Sequence, residues 1–216
     1  MATITPIKPA KSASQRDSRA QITRQKLLLA AQQEIHRVGF QAASLDTILS
    51  HAGVTKGALY HHFDNKRALG YAVVDEWLQA RITEWWVAPL RDSTDPLKTL
   101  SHMLIECRET IVAELAQDGC PLAALAHEMG LLDEGFRSRI SSIYDDWMEA
   151  ISAALARGQV AGSVRRDVSP DQTAAFIVAA MEGALMLGKT SRSSDYIGRC
   201  GMAMMNYLFS LRTPNT

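Results

Sequence analysis

Ser44, Thr55 and Asn65 are helix-capping residues set so close together that the chain between them has room only for two short helices. A capping side chain accepts a hydrogen bond from the first turn of the helix behind it. Behind Ser44, Leu45, Ile48 and Leu49 form one apolar stripe, and Asp46 lies where the helix dipole favours an acid. This helix must end near His51-Ala52-Gly53, because Gly53 supplies the freely turning backbone of a tight corner. Thr55 caps the second helix, Lys56 to His62 or Phe63. Short helix, glycine corner, short helix is the spacing of a helix-turn-helix, whose second helix is the one that enters a major groove. A helix packed across both is expected from Thr23, its cap, through Leu27, Leu28, Ala31, Ile35 and Val38 to Gly39, with Phe40 returning to the core.

The remainder reads as helices as well. Asn65 caps one that starts at Lys66 and runs toward Trp85 or Trp86, with Leu69, Val73, Val74 and Trp77 on its apolar face. Pro89 and the stretch 91–96 break the chain, and Pro96 fits the first turn of a helix from about Leu97 to Gln117. After the turn Asp118-Gly119-Cys120-Pro121 a short helix reaches Met129 and stops at Gly130. A long one follows from Asp133 to Arg157, with Phe136, Ile140, Ile143, Tyr144, Trp147, Ile151 and Leu155 inward, broken by Gly158 and Gly162. Ser169-Pro170-Asp171-Gln172 is a strong helix start, with cap, proline and early acid in order, for a helix to Leu187. The last spans Ser194 to Leu211. No strand alternation and no repeat is present, so the fold class is all-α, with about nine helices.

A chain of 216 residues, 47% apolar and 21% charged, can bury one large or two small cores. No apolar run reaches the ~20 residues of a bilayer span; the longest, Ala174 to Leu187, is interrupted by Glu182 and Gly183. With no apolar leader segment, a cytoplasmic location without membrane contact is expected. Three cysteines without CxxC spacing argue against a disulfide scaffold and a cysteine zinc site, and read as small buried hydrophobes. Charge is unevenly spread. Residues 1–67 carry ten basic and four acidic side chains, the rest thirteen and nineteen, so a head of +6 sits on a body of −6. Such asymmetry points to a polyanion partner for the head alone. Residues 1–20, rich in Pro, Lys, Ser, Thr and Gln, are expected as a disordered basic arm, either touching DNA or idle in solvent.

Within the head, individual residues suit duplex DNA. Gly57 allows close approach, although a glycine inside a helix costs up to ~1 kcal/mol. Thr55 and Lys56 stand at a helix N-terminus, where backbone N–H groups favour phosphate. Tyr60 and His61 can donate to phosphate oxygens, and Lys66 approaches from the next helix start. Lys56, Ala58 and His61 are candidates for base edges. Ser44 completes the set. The alternatives are a solvated basic face at Lys56, Lys66 and Arg67 and a core role for Tyr60. A metal pair at His61 and His62 is disfavoured, since adjacent helical residues point ~100° apart.

The run SLDTILSHAGVTKGALYHHFDNKRAL, residues 44–69, together with the preceding helix, resembles the TetR family of transcription regulators over roughly residues 23–75. The resemblance implies a DNA-binding domain at 21–68 and a helical ligand-binding and dimerisation domain at 69–216. It implies a homodimer through the last two helices, a palindromic double-stranded operator, and a repressor released by a small-molecule or thiol-reactive effector, with no cofactor or metal. It also implies that Leu59 and Phe63 are core. Ala175, Ala179, Gly183 and Leu187, with Ile197, Met204, Met205, Leu208 and Phe209, support a helix-packing face, whose alternative is packing within the chain.

Gly119-Cys120-Pro121-Leu122, Glu182-Gly183-Ala184 and Lys189-Thr190-Ser191-Arg192 are similar to a TetR branch that senses reactive electrophiles and small unsaturated acids. A thiolate at Cys120 would gain from a helix start and from Lys189, if the two meet; the alternative is a structural cysteine. Candidate pocket residues are Trp85, Trp86, Met103, Cys107, His127, Met129, Tyr144, Trp147, Met181 and Glu182, with Glu128 beside an apolar stripe. Two other functions compete: a DNA-binding architectural protein without effector, and a thiol hydrolase using Cys120, His127 and Glu128. The second lacks an oxyanion hole and a metal-ligand cluster.

Overall fold

Helix α1 (Ala13–Val38) begins well before Thr23 in the computed structural model, which describes residues 13–110 and 112–214. Thr23 is no cap: its hydroxyl donates to the Arg19 carbonyl one turn back, at 2.9 Å. The expected arm is therefore helical from Ala13 onward, and residues 1–12 lie outside the described residues. Alanine, arginine and glutamine extend a helix readily once its C-terminal half is packed, without an apolar stripe of their own.

Helices α2 (Leu45–Ala52) and α3 (Lys56–His62) form the expected corner. Ser44 Oγ accepts the Thr47 N–H at 3.4 Å and Thr55 Oγ1 the Ala58 N–H at 3.2 Å. Gly53 takes the left-handed conformation, φ +63°, that closes α2. Leu27, Leu28, Ala31 and Ile35 of α1 are buried, as are Ile48, Leu59 and Phe63, so α1 is the beam on which the corner rests.

From Asn65, whose Oδ1 accepts the Ala68 N–H at 2.9 Å, helix α4 runs unbroken over residues 66–91. Pro89 does not end it, contrary to expectation. The turns widen to π geometry at Val73–Leu78 and again at Thr83–Val87, just ahead of the proline. A wider turn moves aside the carbonyl that the proline ring would strike and removes the need for its missing N–H. Then come α5 (Pro96–Thr110), α6 (Val112–Asp118), α7 (Pro121–Met129), α8 (Glu134–Ala161), α9 (Pro170–Ser191) and α10 (Asp195–Ser210). These are ten helices among the described residues, or nine with α5 and α6 counted together. No strand occurs there beyond one isolated bridge between Val164 and Arg212.

Two more glycine and capping expectations fail. Gly158 does not break α8; it is needed for room, since a Cβ there would lie 2.6 Å from Val164 and 2.7 Å from Pro96. Gly162, with nothing around it, ends the helix instead. Ser169 makes no side-chain cap to α9, and Asp171 accepts from Ser152. At 22 residues, with an 18-residue window of mean hydropathy 1.2 that is 33% buried, α9 is long and apolar enough to cross a membrane by length and composition alone. The expectation that no segment reaches that length stopped at Leu187, whereas the helix continues to Ser191.

Several contacts tie the head and the start of α4 to the rest of the body. Glu128, at the end of α7, accepts the backbone N–H groups of Phe40 and Gln41 at 2.7 and 2.8 Å. The Phe40 ring meets Phe136 edge-on at 4.7 Å. Asp133 caps α8 and accepts the Tyr71 hydroxyl at 2.6 Å. His36 Nε2 lies 3.2 Å from the Asp118 carbonyl.

Candidate functional site

Helix α3 is anchored on one side and bare on the other. Leu59 is 1% exposed and Phe63 closes the helix from below, whereas Lys56, Gly57, Tyr60 and His61 face outward. Tyr60 is 45% exposed, which rules out the core role weighed for it. Gly57 has open space where a side chain would go, the nearest atom being Thr55 Oγ1 at 4.0 Å. Nothing among the described residues therefore requires a glycine there. His61 and His62 meet edge-on with ring centroids 5.1 Å apart, and burial pulls the His62 pKa down.

Lys66 is placed differently from the expectation. Its ammonium donates to the Gln41 carbonyl at 2.9 Å and sits 5.0 Å from the centre of the Phe40 ring, so it braces the head from inside. Other basic groups of the head are also engaged. Arg24 pairs with Glu76, Arg37 with Glu34 and Arg67 with Asp133. Among the described cations on the expected reading face, Lys56 has no acidic partner.

The body holds a cavity of about 440 Å³ between α4, α5, α7, α8, α9 and α10. All four tryptophans of the chain line it, Trp77, Trp85, Trp86 and Trp147, and so do all three cysteines. Of the residues named from sequence, Trp85, Trp86, Cys107, Cys120, Trp147, Met181 and Glu182 are on its wall. Met103 and Met129 are instead packed in the core, and His127 is exposed. Tyr144 is not on the wall but backs it, donating its hydroxyl to Glu182 and stacking on Trp147.

Glu182 is the polar centre of this wall. Its Oε1 accepts from the Cys120 thiol at 3.3 Å and from the Tyr144 hydroxyl at 3.2 Å. Its Oε2 is buried without a partner, and the Trp147 indole N–H is likewise unpaired. Burial raises the Glu182 pKa. For Cys120 the structure reverses the thiolate argument. Burial, then the Glu182 carboxylate, push its pKa far up, overriding the backbone N–H groups of Leu122 and Ala123 at the start of α7. Lys189 lays its stem against Gly119 and lines a separate, smaller cleft of about 250 Å³ with Glu128 and His36. The hydrolase constellation does not assemble either, because Glu128 is committed to the 40–41 turn at the far end of α7. Sequence reading missed Glu128 as a clamp and Trp77 as lining. The first is a contact 88 residues long in sequence, and no local pattern carries it.

An outward-facing recognition helix on a capped corner, joined to a helical body with a cavity, defines a helix-turn-helix transcription regulator. Family models agree. That for bacterial regulatory proteins of the tetR family matches residues 27–73, and that for the tetracyclin repressor-like C-terminal domain matches residues 96–204. The chain belongs to the TetR family and is a DNA-binding transcriptional regulator. Among its relatives is the HTH-type transcriptional repressor DhaR of Mycobacterium sp. strain GP1, 28% identical over 82% of this chain and 86% of the relative. The transcriptional regulator AcuR of Cereibacter sphaeroides is 27% identical over 88% and 87%. A solved structure of a regulatory protein TetR from Rhodobacter sphaeroides superposes with a TM-score of 0.76 at 25% identity, covering 86% of this chain and 98% of that one.

Proposed function

We propose that the protein is a cytoplasmic, homodimeric repressor that reads a palindromic DNA operator with α3 and releases it when a small molecule occupies the body cavity. The observation that carries this reading is the bare face of α3, with Gly57 unexplained by any contact among the described residues. On DNA, Thr55 and Tyr60 meet phosphates, while Lys56, Ala58 and His61 face base edges and Gly57 lets the backbone approach. Ser44 and Lys66 hold the corner and its support in place.

Two copies are needed for a palindrome. The exposed side chains of Phe176, Met186, Leu187, Met202 and Phe209 on α9 and α10 support pairing there. So does the open space around Gly183, Gly198 and Gly201, which lets another helix come close. On this reading the division of labour falls within α4, with residues 21–68 for DNA and 69–216 for effector and partner. Helix α7 links the two, because Cys120 at its start lines the cavity while Glu128 at its end holds the 40–41 turn. Burial and then the Glu182 carboxylate raise the Cys120 pKa, which favours an effector that is bound rather than captured by this thiol.

The test is binding to duplexes selected from a random pool, read by fluorescence anisotropy. Lys56→Ala is expected to weaken the selected complex about ten-fold or more, ~1.4 kcal/mol, with fold and dimer intact. If Lys56→Ala and Tyr60→Phe both bind like the unaltered protein, α3 is not the reading helix.

A further inference from the structure

The cavity has a chemical character that its role as an effector site does not by itself specify. Four indoles in the lining, three from α4 and one from α8, offer aromatic surface, and Trp86 and Trp147 lie 5.3 Å apart, inclined by 31°. Three thiols and the nearby Met181 add soft, polarizable contacts suited to flat rings. The outer pair already binds a cation, for the Arg81 guanidinium lies 5.8 Å from the Trp77 ring and 5.3 Å from that of Trp85.

The charged lining is Arg81, Asp118 and Glu182, with His36. Arg81 and Asp118 are exposed, so the deep ionisable group is Glu182. One of its oxygens is satisfied by Cys120 and Tyr144, and the other is buried and empty-handed. A buried acceptor without a donor is costly, and more so when it belongs to a carboxylate. Tyr144 and Cys120 are donors of moderate strength, and burial still leaves the acid with a raised pKa. A ligand anion would meet this carboxylate head-on. A protonated nitrogen would pair with this carboxylate and lie against the aromatic faces as well.

We propose that the cavity takes a planar aromatic cation, its ring among the tryptophans and a protonated amine or amidine nitrogen paired with the Glu182 carboxylate. This rests on the reading of the cavity as the effector site.

Calorimetric titration of the full chain with naphthylmethylammonium, naphthylmethanol and naphthoate, which share one ring system, tests the proposal. The ammonium compound is expected to bind about ten-fold tighter than the alcohol, with naphthoate weakest. Glu182→Gln is expected to erase the advantage of the ammonium compound while leaving the alcohol's affinity in place. The ranking is read on the unaltered chain, so it decides even if Glu182→Gln does not fold. Naphthoate binding as tightly as the ammonium compound overturns the proposal. So do an advantage that survives Glu182→Gln and a lack of binding by all three. Adding the ammonium compound to the DNA complex separates the two readings. If it binds in the expected order but leaves DNA bound, the cavity's preference stands and the effector role falls.

Discussion

Gly39 and Glu128 are one device seen from two ends of the chain. Gly39 has a φ of +85°, a conformation that side chains resist, and a Cβ there would lie 2.8 Å from a Glu128 oxygen. Both the turn and the carboxylate that caps it therefore require glycine. Gly39→Ala should lower stability by about 1–3 kcal/mol through backbone strain and crowding. Glu128→Ala should lower it by roughly 1–3 kcal/mol through the two orphaned N–H groups. In urea denaturation the double variant should lose less than the sum of the two, because the crowding disappears with the carboxylate. Strict additivity would mean that the clamp is not formed. Gly39 was legible as a helix stop, but its partner was not.

Asp133 carries a second prediction at this scale. The Tyr71 hydroxyl, followed by the N–H of Phe136 and Gly135 and the Arg67 guanidinium, holds its pKa below the ordinary aspartate value. A carboxylate with a depressed folded pKa adds stability that is complete above its unfolded pKa and is lost as pH falls toward its folded one. The acid limb of the stability curve, below about pH 4, should therefore be shallower in Asp133→Asn. An unchanged limb would contradict this assignment.

At the scale of helices, the corner was readable because its signals are local: a cap, a glycine and a cap fix α2 and α3 almost to the residue. Boundaries set by packing were not. Pro89 was absorbed by π turns, and Gly158 was retained inside α8 because Val164 and Pro96 press on it. The pocket residues divided in the same way. Apolar periodicity separates inside from outside, but it does not tell a core methionine such as Met103 from a cavity wall such as Met181. Helices α9 and α10 carry the prediction for this scale. Phe209, 75% exposed, should lie in the dimer interface, so Phe209→Glu should shift sedimentation toward the monomer and weaken operator binding in parallel. A variant that remains dimeric would place the interface elsewhere.

Across the whole molecule, the charge contrast between head and body was visible in the sequence, but its distribution was not. Four of the head's ten basic side chains have partners in the fold: Arg37 and Lys66 within the head, and Arg24 and Arg67 with Glu76 and Asp133 of the body. Specific recognition must then come from few contacts on α3, repeated by two-fold symmetry. Selection of duplexes from a random pool, with the half-site spacing read by sequencing, tests this most directly. The account predicts inverted repeats whose half-site centres are one helical turn, ~34–36 Å, or a multiple of it apart, and their loss with Lys56→Ala. Enrichment of no sequence, or of single half-sites bound by one copy, would contradict it.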